Sequence, residues 1–249
     1  MAQVALKFLI GRKRGMTQRF TEDGRVVPLT VVEAGPCTVT QIRSAEKDGY
    51  AAIQVGFEEC RPKVLSRPVL GHLGVLKSES AKADSAAKAG KALRVLREAR
   101  IKDMPAATVG DVATVAAFEK GELIDVEGIS KGRGFMGTIR AHHFNRGPAS
   151  HGSMNIRQPG SVGSSADPSH TFRGTRMALH LGAKKHTAKN LQVFDVDPNS
   201  NLIYIYGAVA GPTGGLVVVK RAKTPPPPRK APPTVKKASQ KGGPEKAKK

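Results

Sequence analysis

Short apolar segments separated by polar turns recur along most of the chain, and within many segments apolar and polar residues alternate. Such alternation predicts β-strands, because successive side chains of a strand point to opposite faces of a sheet. Strands that follow one another at intervals of about ten residues favour a β-barrel or a β-sandwich over βαβ units. The predicted strands span residues 4–10, 16–20, 25–33, 37–43, 50–57, 92–101, 111–118, 123–127, 190–196, 202–206 and 216–220.

Four segments depart from this pattern. Residues 11–15 predict a basic loop between two strands, and residues 67–76 predict a short helix. Residues 78–91 are rich in Ala, Lys and Ser, which is typical of a solvated helix or a linker. Residues 174–182 predict one or two helical turns that end at a glycine cap.

Positive charge is concentrated in two parts of the chain. The formal net charge is +21, of which residues 131–190 contribute +9 and residues 221–249 contribute another +9. The strand-rich parts are close to neutral. This distribution separates a binding surface from a folding scaffold.

Residues 131–190 hold ten Lys or Arg, one acid (Asp167), six of the seven histidines and nine glycines. They contain few large apolar side chains, so little buried surface offsets the entropy of ordering their backbone. Because predicted strands lie on both sides, the segment is expected to leave a β core and return to it. A polyanion would order such a segment, and RNA is the leading candidate.

The predicted organisation follows from these patterns. Residues 1–130 and 190–220 form a β domain, with residues 66–91 as a helical or linker insertion within it. Residues 131–189, called the arm below, form an extended RNA-binding segment with a short helix. Residues 221–249 are rich in Pro, Lys and Ala and are predicted to be disordered.

Motifs that suggest catalysis or metal binding are weak. Residues 132–137 match GxGxxG, but the region that follows is basic, shows no helix pattern and lacks an acid at the spacing of dinucleotide sites. His142, His143 and His151 have no nearby carboxylate to complete a metal site. The two cysteines lack metal-ligand spacing and fit a reducing cytosolic compartment. We therefore predict no enzyme activity, cofactor or metal, and we expect neither a signal peptide nor a membrane span.

Basic and histidine side chains are expected to contact RNA phosphates and bases, and glycines to allow close approach of the backbone. The predicted RNA-binding side chains are Lys7, Arg12, Lys13, Arg14, Lys131, Arg133, Arg140, His142, His143, Arg146, His151, Arg157, Arg173, Arg176, Lys184 and Lys185. The glycines expected to approach RNA closely are Gly132, Gly134, Gly137, Gly160 and Gly163. Asn155 and Ser164 are assigned to the arm tip.

Two alternatives stay open within the arm. Its large apolar side chains either form a small cluster that holds its base or stack on RNA bases. They are Phe135, Met136, Phe144 and Met154. Arg173 and Arg176 either contact phosphate or remain solvated beside a helix that packs on the barrel.

A set of motifs runs in order from about residue 4 to residue 220. The densest group is Phe118, Asp125, Gly128, Ser130, the run 132–134, Gly137 and Arg140; others lie at 12–17, 159–163, 173–177 and 207–212. Together these motifs resemble the ribosomal protein L3 family of the large subunit, in its bacterial branch.

The resemblance implies a closed six-stranded β-barrel of the translation-protein type on the outer face of the large subunit. It implies an arm that reaches through rRNA toward the peptidyl transferase centre, and early binding to the 3′ region of the large rRNA. It also implies neighbouring large-subunit proteins as partners and a place in the cytoplasmic ribosome. Ser164 stands where some bacterial members carry a methylated Gln, so that modification is not expected.

The expected function is therefore structural, with rRNA binding and no small-molecule substrate or membrane partner. Two rivals remain at this point. A free RNA chaperone or DNA-compacting protein would explain the charge but not a single arm bracketed by strands. An enzyme that binds a nucleotide would explain only the GxGxxG motif.

Overall fold

The computed structural model describes residues 6–75, 90–101 and 107–224. Within these ranges the chain is mainly β, and its α-helices have only four to seven residues. The strands are β1 (Phe8–Phe20), β2 (Val26–Ala34), β3 (Cys37–Arg43), β4 (Ala52–Glu59), β5 (Leu93–Arg100), β6 (Val112–Ala113), β7 (Leu123–Ile129), β8 (Phe135–Met136), β9 (Leu179–His180), β10 (Lys185–Asp197), β11 (Leu202–Tyr206) and β12 (Leu216–Arg221). The helices are α1 (Ala45–Asp48), α2 (Arg67–Leu73) and α3 (Thr138–His142), with 3-10 turns at Pro62–Val64 and Val115–Ala117.

Six strands close into an antiparallel barrel in the order β1-β12-β7-β10-β11-β2. This confirms the predicted mainly β fold with a closed six-stranded barrel. Strands from both sides of the arm contribute, since β7 precedes it and β11 and β12 follow it. Val32, Ile203 and Ile205 are completely buried, as alternation requires for the inward-facing residues of a small barrel.

A second antiparallel sheet, in the order β5-β4-β3-β6, packs against the barrel. The two sheets share one apolar core, and Cys37 of β3 joins them. The Ile10 N–H donates to Cys37 Sγ at 3.3 Å, and the thiol faces the Ile10 carbonyl at 3.4 Å. Burial raises the pKa of Cys37 to about 12, so the thiol stays protonated and acts as a packing and hydrogen-bonding group.

The prediction of a basic loop at residues 11–15 is wrong, because β1 continues through these residues. Gly11 and Arg12 pair with both β2 and β12, and a bulge between Lys13 and Gly15 shifts the register. Distant parts of the chain supply partners for the cations of this strand, so its polar sequence does not break the ladder.

Three further element predictions also need correction. Residues 111–118 hold only the short β6 followed by the 3-10 turn at Val115–Ala117, because Val115 turns into the core instead of continuing the sheet. Residues 174–182 contain no helical turn, and β9 pairs with β8 there. α3 begins directly after Gly137, where no helix was predicted; its five residues are too few to show helical periodicity.

The helix predicted at residues 67–76 is confirmed as α2. Residues 78–91 lie almost wholly outside the described residues, and so does the tail beyond residue 224. The predictions for these segments, and the domain boundaries, stay predictions.

The close contact between β1 and β2 generates a test of the barrel. A Cβ at Gly11 would lie 2.3 Å from the carbonyl oxygen of Glu33, whereas one at Gly15 would meet nothing within 4 Å. We expect Gly11→Ala to lower the free energy of unfolding by about 1–3 kcal/mol through overpacking. Gly15→Ala, the matched control in the same strand, should stay within about 0.5 kcal/mol. Urea denaturation followed by circular dichroism measures both, and equal midpoints for the two variants would contradict the close contact.

Candidate nucleic-acid interface

The arm leaves the barrel through β7 and returns through β10, and the two strands stay paired beyond the barrel. The Ser130 N–H donates to the Lys184 carbonyl at 2.9 Å, and the Arg133 N–H donates to the Leu181 carbonyl at 2.8 Å. β8 and β9 then complete the ladder. The root of the arm is therefore a continuation of the barrel's own hydrogen bonding.

Gly182 makes this continuation possible. Its φ is +78°, and a Cβ there would lie 2.2 Å from the carbonyl oxygen of Lys131. Only glycine combines the left-handed conformation with so close an approach of two backbones. The two paired segments at the root of the arm, residues 130–133 and 181–184, are called the stem strands below. Their close approach brings their basic side chains together.

Beyond the stem, the arm keeps its shape through a few local contacts. An imidazole nitrogen of His142 lies 2.9 Å from the Met177 carbonyl, and the Gly147 N–H donates to the Ile156 carbonyl at 3.1 Å. No residue between 131 and 184 belongs to the buried apolar core, and residues 157–166 are all exposed. Little apolar burial therefore holds the distal arm.

Basic side chains from both stem strands and α3 line a groove of about 440 Å³ at the root of the arm. Its lining contains no Asp or Glu. The cationic and imidazole side chains of this root groove are Lys131, Arg133, Arg140, His143, Lys184, Lys185 and His186. Six of the predicted RNA-binding residues thus meet at one site. His186 was not predicted, and it reaches the groove because β10 begins at Lys185, five residues earlier than expected.

The arm has almost no internal counter-charge. Among the described residues, nine of its ten Lys and Arg side chains have no carboxylate within 4.0 Å. The exception is Lys185, whose ammonium lies 2.9 Å from Glu127, a carboxylate that Lys220 also binds. Burial raises the pKa of Glu127, but hydrogen bonds from these two lysines outweigh it and hold the pKa below its usual range. The remaining positive charge faces solvent and attracts polyanions.

The other predicted contact residues are spread along the arm. Arg146, His151, Arg157, Arg173 and Arg176 are exposed, and His142 is half-buried. The five glycines and the tip residues are exposed as well; these are Gly132, Gly134, Gly137, Gly160, Gly163, Asn155 and Ser164. Exposed side chains can contact RNA, but exposure alone does not show that they do, so these assignments stay predictions.

The four apolar side chains singled out in the sequence divide into two groups. Met136 and Phe144 are half-buried, and the Phe144 ring centroid lies 6.2 Å from that of His142. Phe135 and Met154 are 75% and 94% exposed. Local packing therefore accounts for the first pair, while the second pair is free to stack.

The predicted cations near the start of the chain all have partners within the fold. Three bind carboxylates: the pairs are Lys7–Glu122, Arg12–Glu58 and Arg14–Glu33. Arg12 meets both carboxylate oxygens of Glu58 and also donates to the Gly214 carbonyl at 2.7 Å. These side chains contribute less free charge than the arm does.

Lys13 is only 8% exposed. Its ammonium donates to the carbonyls of Val209 at 2.8 Å and Gly211 at 3.3 Å. Burial, and secondarily the charge of Lys131, lowers the pKa of Lys13. The sequence shows this residue only as one member of a basic run and gives no signal of its internal contacts.

Other kinds of site find little support. No group of three or more His, Cys, Asp or Glu side chains in the described residues could hold a metal ion. Across those same ranges, no helix is long and apolar enough to cross a membrane. The GxGxxG motif leads into a helix of only five residues, and Arg133 within the motif lines the root groove.

Comparison with known proteins decides the family. A model of the family described as ribosomal protein L3 matches residues 46–201, which include the whole arm. A protein of Herpetosiphon aurantiacus described as large ribosomal subunit protein uL3 is 46% identical over 218 residues, covering 87% of this chain and 97% of that protein. The chain belongs to the ribosomal protein L3 family. Members of the L3 family are structural proteins of the cytoplasmic ribosome rather than enzymes, which excludes the nucleotide-enzyme interpretation.

The Arg12–Glu58 pair generates a prediction about acid stability. The hydrogen bond from Arg12 outweighs burial and holds the pKa of Glu58 below its usual 4.5. The ionised carboxylate therefore stabilises the fold above pH 4.5, and this contribution is lost as the pH falls through the lowered pKa. Glu58→Gln, which mimics the protonated acid, should cost about 1 kcal/mol at neutral pH and progressively less in acid. Urea unfolding at a series of pH values measures this, with the exposed Glu46→Gln as control. A difference from the natural chain that persists unchanged into strong acid would contradict the assignment.

The buried position of Lys13 generates a second prediction. Lys13→Met leaves the carbonyls of Val209 and Gly211 without this donor, so we expect the fold to lose about 1–3 kcal/mol. Amide hydrogen exchange should accelerate in residues 207–215, while the salt dependence of rRNA binding should stay unchanged. If the slope of log affinity against log salt instead fell by about 1, Lys13 would belong to the RNA interface.

Proposed function

We propose that this structural constituent of the large ribosomal subunit binds large-subunit rRNA through its arm, and most tightly at the root groove. The observation that carries the proposal is the groove itself, where five Lys or Arg and two His side chains converge without an acid. Such a site suits phosphate. Its oxygens accept paired hydrogen bonds from arginine and attract the charged ammonium of lysine.

The stem gives this binding a fixed geometry. Its ladder pairs Ser130 with Lys184 and Arg133 with Leu181. Lys131 and Arg133 on one strand and Lys184 and Lys185 on the other therefore line the same groove. A sugar-phosphate backbone that enters the groove would therefore meet cations from both strands. Recognition would rest on RNA shape and phosphate spacing, since these side chains and the exposed glycines carry no base-specific pattern.

The distal arm is proposed to become ordered within folded rRNA. Its exposed arginines and histidines would contact phosphates, and Phe135 and Met154 would lie against bases or ribose. On the family resemblance, we further propose that the chain binds the 3′ region of the rRNA early in assembly. The same resemblance supports an arm tip, near Asn155 and Ser164, that points toward the peptidyl transferase centre.

The groove can be tested by the salt dependence of binding to purified large-subunit rRNA. Arg133→Gln and Arg140→Gln should each weaken binding and lower the slope of log affinity against log salt by about 1, because each removes one phosphate contact. Filter binding or fluorescence titration at several salt concentrations gives the slope.

Arg61→Gln is the matched control for this test. Arg61 is exposed, lies outside the root groove and has no ion pair among the described residues. Removing its charge should leave the slope almost unchanged. If all three variants shifted the slope equally, binding would depend on net charge rather than on the groove.

A further inference from the structure

The hairpin formed by β1 and β2 projects beyond the closed part of the barrel. β12 pairs with β1 only from Phe8 to Arg12, and backbone bonds from Lys13 to residues 214–215 end that ladder. From Met16 to Phe20, β1 pairs with β2 alone. In the part of the chain that the structure describes, no strand lies along the other edge of this segment.

One face of the projecting hairpin is largely apolar and uncovered, with the polar Gln18 between Met16 and Phe20. Phe20 lies opposite Val26, and Met16 precedes Phe20 on the same face. Phe20 is 70% exposed, Val26 is 53% exposed and Met16 is 56% exposed. The face continues the row of β2 that includes the buried Val32, so it is an extension of the barrel's inner wall past its rim. An exposed apolar face beside an open strand edge is a typical site of partner binding.

The tip of the hairpin carries two carboxylates, a chemistry that suits a basic polypeptide better than RNA. Arg19 lies on the opposite face, where it pairs with Asp195 at 3.1 Å and covers the Tyr204 ring. Glu22 and Asp23 at the turn are exposed and, within the described ranges, bind no cation. Arg25 and Lys120, which line a cavity together with Asp23 and Val26, also have no ion pair among those residues. The two carboxylates at the tip are therefore the local feature that favours a basic side chain of a polypeptide over a phosphate.

We propose that the free edge of β1 at Met16–Phe20, together with its apolar face, binds an extended segment of a neighbouring large-subunit protein. The open edge presents N–H and C=O groups at the spacing of a peptide strand, which a second strand can complete and RNA cannot. Apolar side chains at alternate positions of that segment would cover Met16, Phe20 and Val26. A Lys or Arg near its end would lie beside Glu22 and Asp23. This inference rests on the proposed function, since the partner is a component of the same subunit.

The test uses photocross-linking within whole large subunits. A benzophenone amino acid replaces Phe20 or Met16 in the full-length chain, and large subunits that contain it are irradiated. The control places the same group at Val64, an equally exposed apolar position in the 3-10 turn at Pro62–Val64. We expect positions 20 and 16 to cross-link to one protein segment, identified by mass spectrometry, with alternating apolar residues and a flanking Lys or Arg. The control should not reach that segment.

Substitution gives an independent readout. Phe20→Thr combined with Val26→Thr keeps β-forming residues but removes two of the three exposed apolar side chains, while Val64→Thr is the control. Salt-washed subunits with the double variant should contain at least threefold less of the cross-linked partner and an unchanged amount of this chain.

The outcomes separate the two proposals. Cross-links to rRNA, absence of cross-links from both positions, or unchanged partner content would overturn the docking surface. If the chain itself were missing from large subunits, the proposed function would fail instead.

Discussion

The backbone ladder between β7 and β10 is the interaction on which the rest of the molecule depends. Inside the barrel it pairs Leu123–Ile129 with residues 185–192 of β10, and outside the barrel it continues through Ser130 and Arg133 into the arm. The arm has no apolar core that could fix its direction. The orientation of the arm is therefore set by β7 and β10, which the apolar core of the barrel holds in place.

Charge is used differently in β1 and in the arm. The basic residues of β1 are used internally, since Arg12 binds Glu58 and Lys13 binds backbone carbonyls. The basic residues of the arm have almost no such partners. A cation that is already paired gains little from a phosphate, whereas an unpaired one gains electrostatic attraction and releases counterions. Lys and Arg residues therefore occur in both parts of the chain, but their unpaired charge is concentrated in the arm.

The sequence predicts the parts of this arrangement that depend on local pattern. Alternation is sufficient for Leu202–Tyr206, because one face of that strand is buried and the other is not. It fails for residues 11–15, where the partners of the strand's cations come from Glu58 and Val209, far away in the chain. It also cannot separate β3–β6 from the barrel, since which strands pair is decided by long-range packing. The cations of the root groove are visible in the sequence, but their convergence requires the stem ladder and the close approach at Gly182.

The arm root and the projecting hairpin are joined by a short tightly packed segment at residues 209–211. Lys13, at the bulge where β1 leaves the barrel, binds the carbonyls of this segment. On the other side, a Cβ at Gly128 would lie 2.7 Å from the Ala210 carbonyl oxygen, and one at Gly211 would lie 2.9 Å from that of Ile129. With no side chain able to fit at either contact, the segment has little freedom to shift relative to β1 or β7. A rigid connection of this kind fixes the direction of a cationic arm relative to an apolar, acid-tipped hairpin. The two projections differ in chemistry, so RNA on one and polypeptide on the other would not compete for the same surface.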